Sequence, residues 1–408
     1  MRRILKITGI LLATILTPIL FLGGAYLINP DGFQEKIYNT FYPQVKNTEA
    51  FAGKITVENP EVYELMWIAC SLTAAFRQDD NVTSRTDEAY ADYQTAVEAH
   101  FGEFQDHPLV KKLDEYLEPK VYDLNHFAIR FQSLNYEIDT QDRLRKTGDY
   151  RISPILTKAF AKRVFLVSEN RQLINDFIQT TDFTAFYESN QDEYEARTNN
   201  FEQLADLPRM WEWLEARYPN RIASYRILAS PMTGGFHNTA GFDGPDGFHQ
   251  ALMFVSTPTN IDLSKLSDTA RIIQQYAYSR IVFTEIDHNY VNPFSERYRQ
   301  QIYAAIPDIT IWNSNGDYGN AMSTFNEYMT FGMYALFAQE QFEGSTYDFV
   351  MQKLESMMDD YRRFHRFPEF NQELIRYHET LDNKLDMAPI YEHMIDWMGK
   401  QEFASLAK

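Results

Sequence analysis

Cysteine is nearly absent from this 408-residue chain. Cys70 is the single thiol, so neither an intramolecular disulfide nor a cysteine-based zinc site can form. Set in the apolar run Met66-Trp67-Ile68-Ala69-Cys70, it reads as a small buried hydrophobe. Basic residues are also scarce: 38 Lys and Arg against 57 Asp and Glu leave a net charge of −19. That balance argues against nucleic acid as a partner, which would need clustered Lys and Arg, and gives an acidic, soluble surface. No internal repeat or low-complexity tract is present. The glycine-rich stretch 234–247 lacks the Lys-Ser/Thr pair and the helix of a phosphate loop. No Gly-x-Ser-x-Gly elbow occurs, which removes the usual serine-hydrolase signature.

Aromatic residues are abundant. Thirty Phe and 26 Tyr bring the aromatic content to 15%; tyrosine buries ring area while keeping a polar tip, so such a core can enclose a polar site. Long uncharged runs are confined to the N-terminus. Arg2, Arg3 and Lys6 precede an uncharged stretch whose segment Ile7 to Ile28, 22 residues, is long enough to cross a bilayer. The leading cations predict a cytoplasmic N-terminus and an exported remainder, periplasmic or on the extracytoplasmic membrane face. The segment 1–30 reads either as an anchor or as a signal peptide cleaved near Gly23-Gly24-Ala25.

Residues 31–58 read as a tether. Region 59–218 reads as helical, with 3.6-residue periodicity from Val62 to Leu72, further helices at about 84–103, 107–117 and 121–134, and long helices over 170–218 broken near Asp206-Leu207-Pro208. The pattern changes at Pro219-Asn220. Arg221 to Ser230, Phe236 to Ala240 and Phe248 to Ser256 predict three short strands in a small antiparallel sheet. Helices then resume, so 219–408 completes an α+β, predominantly helical chain.

Two of these helices carry unusual polarity. Ser264 to Asn292 predicts a long helix capped by Ser267, apolar on adjoining faces and therefore buried, yet its last turns hold Thr284-Glu285-Ile286-Asp287-His288 before Asn292-Pro293 closes it. The next, about Tyr318 to Gln339, has Glu327 as the sole charge between Asp317 and Glu340. A lone carboxylate on so apolar a helix must be protonated or face a cation: a metal ion, an Arg or a protonated His.

The run Arg280 to Pro293 resembles the signature H-E-F-x-H-x-F-V-N-P of a bacterial domain family of uncharacterised function, itself similar to the gluzincin metallopeptidases. The similarity covers roughly residues 220–340, including Tyr225 to Pro231. It implies a zincin-like domain in which a small antiparallel sheet precedes a buried active-site helix. It also implies a divalent metal, zinc in the gluzincins. Glu285 falls on the catalytic Glu that activates metal-bound water, His288 on the second metal-binding His, Asn292-Pro293 on the closing pair, and Glu327 on the downstream third ligand. Tyr290 or Tyr318 would then donate to a developing oxyanion, and a peptide or protein substrate would align on the sheet by strand addition.

Thr284 departs from this pattern at the first metal-binding His, and a neutral hydroxyl is a poor zinc ligand. Three arrangements remain open. His237, His249 or Asp287 replaces the missing ligand; or Glu285, His288 and Glu327 form an oxygen-rich triad suited to Mn²⁺, Fe²⁺ or Mg²⁺; or the cluster is a metal-free hydrogen-bond network. The sequence therefore leads to a metallopeptidase-like envelope protein with an altered metal site, or to a non-catalytic binding or scaffold protein on the same frame.

Overall fold

A computed structural model describes residues 44–77, 88–117, 129, 131–151, 166–233, 237–256, 262–314 and 318–406. The N-terminal segment 1–30, the first part of the tether (31–43) and most of the helix expected at 121–134 lie outside the described residues. Among the described residues no helix is long and apolar enough to cross a membrane. The chain is α+β and mainly helical.

At the centre is a four-stranded sheet formed by β1 (Ile55–Glu58), β2 (Ser224–Ser230), β3 (Asn238–Asp243) and β4 (His249–Ser256). Its spatial order is β1-β2-β4-β3. The sheet is mixed: β1 runs parallel to β2 and β2 parallel to β4, while β3 and β4 form an antiparallel hairpin. This corrects the antiparallel expectation. After Ser230 the turn Pro231–Thr233 starts a path that carries the chain past the neighbouring position to the outer edge, so β4 and not β3 returns beside β2. The tether also ends sooner than its composition suggests, because Ile55 to Glu58 pair in register with Tyr225 to Leu228.

Helices cover both faces of the sheet. They include α1 (Glu61–Ser71), α2 (Gln191–Ala205), α3 (Leu207–Arg217), α4 (Asp268–Ser295), α5 (Ala321–Gln341), α6 (Phe367–Thr380) and α7 (Met387–Leu406). All seven residues of β2 are buried, as expected for a parallel strand covered on both sides. Tyr225, Ile227 and Ala229 join Ala251, Met253 and Val255 in a core shared with α3 to α7. The alternate residues Leu228, Leu252 and Phe254 face a second core built on α1 and the helices before α2. Cys70 belongs to that second core and is buried. Asp182 and Asp206, both in the left-handed region, join successive helices without intervening loops.

The central helix α4 starts where its cap predicts: the Ala270 amide donates to Ser267 Oγ at 3.2 Å. It ends later than expected, continuing through Pro293 to Ser295. Proline lacks the N–H that would bond the Asn289 carbonyl, and the Asn220 side-chain amide donates to that carbonyl instead at 3.2 Å. Helix α5 packs against α4 on one side and α6 on the other. At the second contact a Cβ on Gly332 would lie 2.5 Å from Leu374 Cδ2 and 3.3 Å from Phe370 Cε1, and both neighbours are fully buried. Gly332→Val is therefore expected to destabilise the protein by about 2–3 kcal/mol in urea titrations, and an unchanged midpoint would show that the helices separate freely.

Candidate functional site

The last turns of α4, the first half of α5 and the start of β3 meet on one side of the C-terminal core. His288 Nε2 lies 3.7 Å from Glu327 Oε1. The other ring nitrogen, Nδ1, has Asn292 Oδ1 at 3.4 Å and the Thr330 hydroxyl at 3.5 Å. One turn earlier, Glu285 Oε1 sits 3.5 Å from His237 Nε2. Two imidazole–carboxylate pairs thus form from three elements that are distant in sequence.

Glu327 finds its cation in an unexpected place. Arg362 Nη2 donates to Glu327 Oε2 at 2.9 Å and also to the Tyr318 hydroxyl. Its guanidinium stacks over the Phe331 ring, 4.6 Å from the centroid. The sequence places Arg362 in a charge cluster with Asp359, Asp360 and Arg363, which reads as a solvated helix face. A π-helical turn, Met357–Tyr361, followed by Arg363 in the left-handed region, carries it inward instead. The signal available in the sequence was indirect: Glu327 required a cation, but no spacing rule links positions 35 residues apart.

Burial pushes the Glu285 carboxyl up to about 7; the His288 ring opposes the rise, the Glu327 carboxylate adds to it, and Arg362 and Arg280 offset part. Burial raises the Tyr318 hydroxyl as well, with Glu327 adding to it and Arg362 opposing. Asp287 is completely buried, and neither of its oxygens has a hydrogen-bond partner among the described residues. Burial lifts its carboxyl well above the usual range, with the nearby Thr330 hydroxyl pulling the other way. A carboxyl so placed is held neutral.

The remaining candidates divide clearly. Tyr318 borders the cluster through Arg362, and Asn292 borders it through His288. The Tyr290 hydroxyl is 2.5 Å from that of Tyr225 and belongs to the packing between α4 and the sheet. Asp287 lies within electrostatic reach of Tyr218, Tyr225 and Tyr391 in the core. His249 Nδ1 pairs with Asp243 at 2.7 Å within the β-hairpin. Thr284 is buried and donates to its own helix at Ile281 O, 3.3 Å away.

The gluzincin resemblance implies a zinc ion, and the donors as arranged do not fit one. Among the described residues no three His, Cys, Asp or Glu side chains are grouped to hold a metal ion. One oxygen of Glu327 is held by a guanidinium, and the position of the first histidine is a hydroxyl bonded to backbone. A fixed positive charge beside Glu327 opposes a second cation there.

No curated protein and no solved structure matches the chain. A family profile described as "Domain of unknown function (DUF4932)" matches residues 55–390. Its first residue coincides with the start of β1, and it runs across both helical layers. The chain belongs to the DUF4932 family, a domain of unknown function.

Proposed function

We propose that this protein is a pseudopeptidase: a metallopeptidase-like frame, exported and held at the extracytoplasmic face by its N-terminal segment, that binds peptide without cleaving it. One observation carries the reading. The buried carboxylate at the position of the third metal ligand is neutralised by Arg362 at 2.9 Å, which answers the electrostatic need that a metal would otherwise meet. Thr284 supports it as well, since its hydroxyl is bonded to its own helix and offers no strong donor to a metal. The peptide-binding element is β3, one of the two edge strands of the sheet. It packs against α4 and begins one residue after His237. An extended peptide adding to such an edge runs alongside the His237–Glu285 pair, with backbone hydrogen bonds giving affinity.

The test is zinc content by elemental analysis after dialysis against zinc and then buffer. Wild-type protein is expected to retain far less than one equivalent, whereas Thr284→His combined with Arg362→Met, which restores the histidine and removes the guanidinium, gains zinc. A wild-type protein holding one equivalent that is lost in Glu327→Ala would overturn the proposal. Such a result would favour a second reading, metal-assisted peptide hydrolysis at an altered site. The placement of His237 beside Glu285 recommends that alternative, because this imidazole is the one placed to replace the missing ligand.

A further inference from the structure

The N-terminal half holds a second polar feature unrelated to the cluster on α4. Two short antiparallel pairings, Gln44–Val45 with Tyr150–Arg151 and Tyr136–Ile138 with Leu144–Lys146, border a cavity of about 390 Å³. Lys46, Lys146 and Arg151 line it, and among the described residues no acidic side chain does. In a chain of net charge −19 three cations around one cavity are a local concentration of positive charge. None of the three is ion-paired among the described residues, although the exposed Arg145 next to Lys146 pairs with Glu137.

Backbone pairing sets the arrangement. The Lys46 amide donates to Asp149 O at 2.7 Å, and Gly148, at φ +79°, makes the turn that brings Lys146 back beside Tyr150. Behind the cations lie two oriented amides. Gln132 is 2% exposed; its Oε1 accepts from the Val167 amide at 2.7 Å, while its Nε2 is a buried donor with no partner among the described residues. Asn135 Oδ1 accepts from the Tyr150 amide at 2.9 Å, which turns its NH₂ away from that bond. The Tyr136 ring closes one wall, with the Arg171 guanidinium 5.8 Å from its centroid. Buried donors without acceptors are costly, and here one sits beside cations with no ion pair among the described residues, in a space of small-molecule size.

We infer that this cavity binds a small, multiply charged oxyanion, a phosphate ester or a polycarboxylate. The cations supply the attraction and the amides of Gln132 and Asn135 supply directional donors. The site stands apart from the α4 cluster and does not rest on the pseudopeptidase reading. Isothermal titration of the folded protein with pyrophosphate and, separately, with citrate tests it at low ionic strength. Saturable binding of pyrophosphate alone identifies the phosphate class; of citrate alone, the carboxylate class; of both, recognition by charge. Lys146→Gln with Arg151→Gln is expected to weaken binding by at least about tenfold, roughly 1.4 kcal/mol, with the melting temperature unchanged. Arg145→Gln is expected to leave affinity as it was. No saturation by either anion up to ~10 mM, a weaker interaction than even low-affinity specific binding, or equal binding by the double variant and wild type, would overturn the inference.

Discussion

Stability falls as the pH rises from 5 to 8. Most proteins lose stability on acidification because their carboxylates are paired in the fold. Here several buried carboxyls are displaced in the opposite direction. Glu285 is raised from 4.5 to about 7, chiefly by burial, and burial also raises Glu64 and Asp287. In each case the folded chain keeps a proton that the unfolded chain has already released. The contribution is therefore complete below the unfolded pKa and is lost as pH climbs through the folded one. For Glu285 alone, 4.5 to about 7 corresponds to up to about 3 kcal/mol, and the buried Asp287 and Glu64 add to it with the same sign. The melting temperature is expected to drop on the order of 5 °C or more between pH 5 and pH 8. Asp287→Asn, nearly isosteric and never charged, should recover about 2 kcal/mol at pH 8 and change little at pH 5. Calorimetry at the two pH values is sufficient. A wild-type protein that melts higher at pH 8 would mean that these carboxyls have partners absent from the fold described above.

Removing Arg362 costs more than removing Arg362 and the Glu327 charge together. In Arg362→Met the carboxylate of Glu327, about nine-tenths buried, is left facing His288 alone. The expected penalty is about 3 kcal/mol, toward the low end for a broken buried pair because the guanidinium is 23% exposed. Glu327→Gln leaves the guanidinium bonded to Tyr318 and stacked on Phe331, so about 1 kcal/mol is expected there. In the double variant the penalty is smaller than for Arg362→Met, giving a coupling of about 1–2 kcal/mol in a double-mutant cycle. Strictly additive single effects in urea unfolding would show that the two side chains do not depend on one another, and the metal-free account of the cluster would then lose its support.

Much of this arrangement is legible along the chain because it is local. The cap at Ser267, the apolar stripes of α4 and the isolation of Glu327 on α5 follow from periodicity and charge alone. The turn clusters mark the strands well, but strand order is a non-local property. Nothing in Ile55 to Glu58 announces that it pairs with Tyr225 to Leu228, 170 residues away. Arg362 escaped for the same reason: its role depends on a π-helical turn and a left-handed residue that swing it from an apparently solvated face into the cluster. Tyr290 lies within the motif, but its hydroxyl is committed to Tyr225.

The sheet described above has a helical layer on each side, and alternate residues of β2 and β4 belong to different cores. Neither core can therefore be excised intact. Cutting the chain at residue 218 would strip Leu228, Leu252 and Phe254 of their cover and unpair β2 from β1, so a fragment beginning there would present a bare apolar wall and an open parallel edge to solvent. The region carrying the α4 cluster and the region carrying the cationic cavity thus stand or fall as one cooperative unit, and a change on one side of the wall is felt on the other through the strands they share.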